Sequence, residues 1–240
     1  QPFIIPIYTL FDRIQYSIGL KLYDWMAGKL RLGKSRFISK KETINRLPQI
    51  KQKGLQGGVV YHDGQFDDAR LALSIAMTCN KMGGVMLNYT KVNALIKNEK
   101  GTITGIQVRD LIGKKNHKIK AKMVVNATGV FADKILQLDQ PGAPKSIQPS
   151  QGIHLVLDRS FLGGNDALMI PKTSDGRVLF AVPWQDKLVV GTTDTLREKA
   201  KLEPEALEKE INFVLETATA YLTKAPTRAD VLSVYAGLRP

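Results

Sequence analysis

The run Met123-Val124-Val125-Asn126-Ala127-Thr128-Gly129 constrains the fold of this chain more than any other stretch. Adjacent β-branched residues in an apolar run predict a strand buried on both faces, and Gly129 suits a tight turn at its end. A helix over residues 131–138 should follow. Strand, glycine turn and helix in that order point to an open α/β sheet, whose ligands sit beyond the carboxyl ends of its strands.

The neighbouring sequence extends that unit. Over residues 66–82, Ala69, Ala72, Leu73, Ala76 and Cys79 form one helical stripe, with Asp67 or Asp68 placed to cap its start and Gly83-Gly84 to end it. Short β-type runs follow at residues 85–89, 92–96, 103–108 and 119–125, broken by Gly101 and Gly113, and predict a strand feeding a three-stranded meander. Beyond the Pro/Gly loop at residues 141–144 the texture changes to closely spaced strands at 153–157, 167–170, 178–182 and 188–191, joined by turns such as Ser174-Asp175-Gly176. This predicts an antiparallel sheet. A long helix over residues 203–222 carries Pro204 in its first turn and Leu207, Ile211, Val214, Leu215, Ala218 and Leu222 on one face. A closing strand over residues 231–235 precedes Gly237-Leu238-Arg239-Pro240.

The opening residues read differently. After Pro2 and Pro6, the positions Leu10, Ile14, Ile18, Leu22 and Trp25 have helical spacing, and Gly28 and Gly33 break the pattern. The favoured reading is a helix packed by this stripe on its own domain, although a peripheral membrane helix has the same signature. Charge is concentrated here: of the net +13, residues 1–53 hold 11 basic and 3 acidic side chains. That surplus favours anionic partners such as acidic lipid, nucleic acid or a phosphorylated substrate, while a merely solvated helix face explains it equally well.

With 43% hydrophobic and 24% charged residues the chain can bury a core, which excludes a wholly disordered protein. The lone Cys79 excludes an internal disulfide; its apolar neighbours place it in the core, and a reducing compartment fits. No apolar run reaches the roughly 18 residues that span a bilayer, and no signal-peptide pattern opens the chain, so a soluble or peripheral protein is expected. One Cys and three scattered His offer no metal-ligand spacing, and there is no serine-hydrolase elbow.

Four segments together carry a family resemblance. They are Tyr61-His62-Asp63-Gly64-Gln65-Phe66-Asp67-Asp68-Ala69-Arg70, Val125-Asn126-Ala127-Thr128-Gly129, Gly152-Ile153-His154-Leu155-Val156, and Gly191-Thr192-Thr193-Asp194 with the terminal Tyr235-Ala236-Gly237-Leu238-Arg239-Pro240. In this order and spacing, from about residue 55 to residue 240, the chain resembles FAD-dependent glycerol-3-phosphate dehydrogenase of the aerobic, quinone-linked type. The family's opening GxGxxG turn has no counterpart, since Gly54-Leu55-Gln56-Gly57-Gly58 lacks its context and spacing. The sequence also stops within a substrate-site motif. It is therefore read as an internal fragment missing both flanks, expected neither to hold FAD tightly nor to turn over substrate in isolation.

The resemblance implies an α/β (α+β) fold: a partial FAD-binding Rossmann-like domain with a β-meander, and an antiparallel-sheet substrate domain covered by helices. Residues 1–54 would be a helical basic segment of the substrate or cap region, 55–145 the partial FAD-binding domain, and 146–240 the substrate domain. The implied reaction is oxidation of sn-glycerol 3-phosphate to dihydroxyacetone phosphate by hydride transfer to FAD, with electrons passed to quinone. The intact enzyme would be a homodimer, peripheral on the cytoplasmic face of the cytoplasmic membrane, with no nucleic acid partner.

Residue by residue, the resemblance assigns catalytic roles to His154 and Arg239. An imidazole titrating near neutrality can take or position a hydroxyl proton, and a permanently charged guanidinium fork fits an oxyanion. Each also has a plain structural reading, as a satisfied strand histidine and a surface arginine in a turn. Val92, Ala127, Thr128 and Gly129 match places where family members approach FAD, Asn126 stands beside them, and Gly129 could equally be a turn residue. Gly191 to Asp194 could line a cavity floor or simply end a strand. Asp67, Asp68 and Arg70 read as structural, and His62, in a loop, and His117, in a lysine-rich hairpin, have no such support. Two rivals remain open: a related FAD-dependent amino-acid or glycerophosphate oxidase, and a non-catalytic basic domain binding membrane or nucleic acid.

Overall fold

The computed structural model describes residues 1–30, 32–173 and 175–240. Along the chain run β1 (Pro2–Ile7), α1 (Leu10–Ala27), β2 (Arg36–Ser39), α2 (Lys40–Arg46), β3 (Gly57–His62), α3 (Asp68–Lys81), β4 (Thr90–Lys97), β5 (Ile103–Asp110) and β6 (Asn116–Lys120). Then come α4 (Ala132–Asp139), β7 (Ser150–Asp158), β8 (Ala167–Ile170), β9 (Leu179–Trp184), β10 (Lys187–Gly191), β11 (Thr195–Leu196), α5 (Glu208–Tyr221) and β12 (Ser233–Arg239). The mixed α/β class and the antiparallel sheet covered by helices are as the sequence predicts. The turn expected at Ser174-Asp175-Gly176 falls in part outside the described residues, at Ser174.

Two compact units share these elements. The first comprises Gln1–Gln65, Ser150–Arg197 and Lys201–Leu238; the second comprises Phe66–Pro149, Glu198–Ala200 and Arg239–Pro240.

In the first unit a nine-stranded sheet runs β11-β7-β10-β9-β8-β1-β3-β2 among the described residues, with β12 also paired to β7. Period-two alternation decides its faces. Ile153, Leu155 and Leu157 of β7 point to one side with Leu188 and Val190 of β10, where the α5 residues Ile211, Val214 and Ala218 cover them. Each such buried aliphatic side chain contributes about 1.5–3 kcal/mol relative to exposure. The opposite face carries a second cluster, with Phe3 and Ile5 of β1, Val59 and Tyr61 of β3, and Met169 and Phe180 beside them.

β1 is a strand that its two prolines concealed. It runs antiparallel to β3 over its whole length and parallel to β8 only at Phe3 and Ile4. The Ile7 carbonyl accepts from Gln56 on the β3 side, so alternation turns Pro2 and Pro6 away from β3, to positions where no ladder donor is required. β2 and β3 were likewise not anticipated, and His62 ends a strand rather than sitting in a loop.

Helix α1 forms as expected, capped by Thr9, whose hydroxyl accepts from the Asp12 amide at 3.1 Å. Its orientation reverses the favoured reading. The side facing the sheet carries Asp12, Tyr16, Leu20 and Asp24, while the stripe Leu10, Ile14, Ile18, Leu22 and Trp25 faces outward, with Ile18 64% and Trp25 77% exposed. Polar anchors, Asp12 buried and Asp24 partly so, explain the inversion. Asp12 pairs with Lys172 at 2.6 Å, and Asp24 accepts from the Ser35 amide and hydroxyl at 2.6 and 2.8 Å.

Helix α5 begins at Glu208, five residues after the expected start, because the Glu210 carboxylate accepts from the Leu207 amide at 2.8 Å and closes the first turn there. Pro204 lies ahead of the helix.

The second unit is built on the antiparallel meander β4-β5-β6. At Gly105 a Cβ would come within 2.3 Å of the Ile119 carbonyl oxygen, so glycine allows β5 and β6 to close up. Asp67 caps α3 by accepting from the Arg70 amide at 2.9 Å, as expected. Three other expectations fail. Residues 85–89 and 123–125 form no strand, with Met123 78% and Val125 77% exposed, and the third meander strand is Asn116–Lys120 instead. A strand exists only through the ladder it shares with a neighbour, and no described strand runs beside these segments. Likewise no residue of α3 is buried, and Cys79, expected in the core, is exposed.

Candidate active site

His154 occupies the centre of β7, on the face that α5 does not cover. It pairs in register with Gly191 of β10. A Cβ at Gly191 would lie 2.5 Å from His154 Cδ2 and 2.6 Å from the Ile153 carbonyl oxygen, so the imidazole occupies space that only glycine leaves. From β12, Tyr235 stacks on the ring with centroids 5.1 Å apart and planes 12° from parallel. The ring is half-buried and held between neighbouring strands. An imidazole so placed can accept a proton from a hydroxyl brought within hydrogen-bond reach of a ring nitrogen.

Behind His154 the strand is fixed by a buried polar cluster that the sequence reading did not assemble. The Ile153 amide donates to Thr193 Oγ1 at 3.0 Å, and that hydroxyl donates to Glu210 Oε1 at 3.3 Å. Gln151 Nε2 donates to Glu210 Oε2 at 2.8 Å and to the Glu205 carbonyl at 2.9 Å. Gln151, Thr193 and Glu210 are all buried. Ser150 donates its hydroxyl to the Asp194 carboxylate. The loop from Gly191 to Asp194 is thereby tied to β7 and α5. No local pattern announces the cluster, because its members stand 40 and 59 residues apart along the chain.

Arg239 is the last residue of β12 and is grouped with the second unit. In that unit Ala127, Thr128 and Gly129 form the turn into α4. Thr128 donates its hydroxyl to Asn126 Oδ1 at 2.8 Å, and Asn126 Nδ2 donates to the Ala132 carbonyl at 2.9 Å. Gly129 has φ +54°, and no atom lies within 4 Å of where its Cβ would stand. The backbone there is open to close approach. Val92 lies on β4, against which α4 packs, and Lys97 of the same strand pairs with Asp139 at 2.7 Å. Val92 and the turn thus belong to one layered unit. His117 lies on the exposed strand β6. Among the described residues no cluster of His, Cys, Asp or Glu could hold a metal ion, and no helix is long and apolar enough to cross a membrane.

Comparison with known proteins places this geometry. The pattern of the FAD dependent oxidoreductase family (DAO) matches residues 6–240. A protein named probable glycerol-3-phosphate dehydrogenase, mitochondrial, from Caenorhabditis elegans is 38% identical over 242 residues, covering 100% of this chain and 33% of its own length. The chain thus spans about a third of that relative. The solved structure of glycerol-3-phosphate dehydrogenase from Bacillus halodurans, complexed with FAD, superposes with a TM-score of 0.80 at 31% identity, covering 100% of this chain and 44% of that one. L-α-glycerophosphate oxidase from Mycoplasma pneumoniae, with FAD bound, gives a TM-score of 0.75 at 17% identity over 100% of this chain and 61% of its own, a likeness of fold alone.

The residues present fit the cofactor that the family uses. The turn braced by Asn126 presents Gly129 at positive φ with open space at its missing side chain, where a dinucleotide can meet main chain directly. Family pattern, fold and this turn agree: the chain belongs to the FAD dependent oxidoreductase family.

Proposed function

We propose that this chain is part of a glycerol-3-phosphate dehydrogenase that oxidises sn-glycerol 3-phosphate to dihydroxyacetone phosphate and delivers the electrons to a quinone at a membrane surface. The observation that carries the reading is the seat of His154, a histidine stacked on Tyr235 and held over Gly191 on the sheet face opposite α5. The 38% identity, over the whole of this chain and a third of the relative, with a protein named probable glycerol-3-phosphate dehydrogenase supports the choice of substrate.

Oxidation of the secondary alcohol removes a proton from oxygen and a hydride from the adjacent carbon. FAD, when bound, supplies the two-electron acceptor. A ring nitrogen of His154 takes the hydroxyl proton. Arg239 holds the developing oxyanion or the phosphate, since its guanidinium stays charged throughout. Asn126, Ala127, Thr128, Gly129 and Val92 hold the cofactor, with Gly129 offering backbone rather than a side chain.

A second reading is oxidation of the same substrate with oxygen as acceptor, since the same fold is also adopted by a protein named as a glycerophosphate oxidase. Anaerobic titration of the full-length protein separates them. Glycerol 3-phosphate should bleach the flavin, and a soluble quinone should restore its colour much faster than air. Rapid reoxidation by air with formation of hydrogen peroxide would select the oxidase, and bleaching by an amino acid but not by glycerol 3-phosphate would remove both.

A further inference from the structure

A row of residues in register crosses the sheet of the first unit on the face opposite α5. Gly191 of β10 pairs with His154 of β7 on one side and with Phe180 of β9 on the other. The two ring-bearing residues are therefore two strand spacings apart, about 9–10 Å between Cα atoms, with no side chain on the residue between them. Each ring is backed by another. Tyr235 stacks on His154 at 5.1 Å, and Phe3 stands edge-on to Phe180 at 5.7 Å with planes 85° apart. Phe3 is itself stacked on Tyr61 at 5.3 Å, so the support behind Phe180 reaches across to β3. The imidazole leans over the glycine, its Cδ2 2.5 Å from where a Cβ would stand.

The next row toward the β9–β10 turn is Val156, Val189 and Val182. Alternation puts it on the same face. These valines, like His154 and Phe180, are partly exposed. Neither row carries Lys, Arg, Asp or Glu. A phosphate dianion needs guanidinium or ammonium partners, so the slot between the two rings suits the carbon end of a substrate and not its phosphate.

We propose that Phe180 is the wall that sets substrate size at the carbinol end. Standing opposite His154, it bounds the space for the C1 group of sn-glycerol 3-phosphate and excludes alcohols extended at that end. An apolar wall of this kind discriminates by size, at about 10–200-fold for each methylene that does not fit. The inference rests on the dehydrogenase reading and adds to it the residue that limits which alcohols are oxidised.

The test compares kcat/KM of the full-length enzyme for sn-glycerol 3-phosphate and for 1-O-methyl-sn-glycerol 3-phosphate, with a soluble dye as electron acceptor. The parent should use the methyl ether at least about tenfold less well. Phe180→Ala should bring the two substrates within about threefold of each other, and Phe180→Leu, which keeps most of the packing against Phe3, should fall between. The ratio is the readout because a merely structural loss lowers both substrates alike and leaves it unchanged. A parent enzyme that oxidises the two equally overturns the proposal. So does the parental ratio in Phe180→Leu, or in a Phe180→Ala protein whose flavin content and thermal melt show it folded. An enzyme that leaves glycerol 3-phosphate itself unoxidised removes the dehydrogenase reading and this inference with it, whereas a wrong ratio alone removes only the wall.

Discussion

The imidazole of His154 lies nearly parallel to the phenol ring of Tyr235, 5.1 Å between centroids. The two side chains come from β7 and β12, so the tilt of a candidate proton acceptor is set by the last strand of the chain. Stacking of this kind contributes about 0.5–1.5 kcal/mol and restricts ring rotation. Tyr235→Ala should therefore lower kcat/KM of the full-length enzyme by about 10–100-fold through loss of orientation, while Tyr235→Phe, which keeps the ring, should stay within a few-fold. Steady-state kinetics with glycerol 3-phosphate measures both. Equal losses in the two variants would mean that the hydroxyl, not the stack, matters.

Gly191→Ala tests the other contact of the same ring. A methyl group there would meet both the imidazole and the Ile153 carbonyl oxygen inside 3 Å, and backbone yields less easily than a side chain. Overpacking of this kind costs about 1–3 kcal/mol. The variant should unfold at lower urea concentration with unchanged m, and a larger residue such as valine should prevent soluble expression. A Gly191→Ala protein as stable and as active as the parent would contradict the close approach of β10 to His154.

The alternating strands β7 to β10 were legible in the sequence because a half-buried antiparallel sheet stamps its period directly on hydrophobicity. β1 was not, because Pro2 and Pro6 read as breakers until the pairing with β3 shows that neither needs a ladder donor. The face of α1 was misread for a related reason. Periodicity reports an apolar stripe but not what lies against it, and here Asp12 and Asp24 hold the polar side inward. At Met123 to Val125 the composition of a doubly buried strand is present without a strand, since hydrogen-bond partners are a property of neighbours and not of the segment itself. His154 was singled out by its motif, whereas the Gln151, Thr193 and Glu210 cluster behind it joins positions far apart in sequence and leaves no local signature.

The pair Asp12 and Lys172 predicts an acid-sensitive step in stability. Burial alone would raise the Asp12 pKa, but the Lys172 ammonium and the Thr9 hydroxyl outweigh it and hold the carboxyl below the usual range. A carboxylate depressed on folding stabilises the protein fully above its unfolded pKa of about 4, and that contribution disappears as pH falls through the folded value. Lys172 is largely exposed, so solvent screening keeps the pair to about 1 kcal/mol or less. Asp12→Asn should melt below the parent at pH 7, and the gap should close as pH falls from about 4 towards 2. A gap that is constant with pH would assign the loss to packing instead.

Glu210 supplies the most demanding test of the scaffold behind His154. Its carboxylate accepts from Gln151 Nε2 and from the Leu207 amide, each at 2.8 Å, and from the Thr193 hydroxyl at 3.3 Å, in a site closed to solvent. Removing it strands three donors, and a buried donor without a partner costs about 1–3 kcal/mol, with the losses less than additive when neighbours relax together. Glu210→Ala should therefore destabilise the protein by about 3 kcal/mol in urea denaturation, whereas Glu210→Gln retains one acceptor oxygen and should lose about half as much. The Ile153 amide reaches Glu210 only through Thr193, so the disturbance should pass along β7 to the adjacent His154 and lower kcat more than it raises KM. If Glu210→Gln is unfolded while Glu210→Ala is not, the charge network described here is wrong, because the amide would then be the worse guest in a site that needs acceptors.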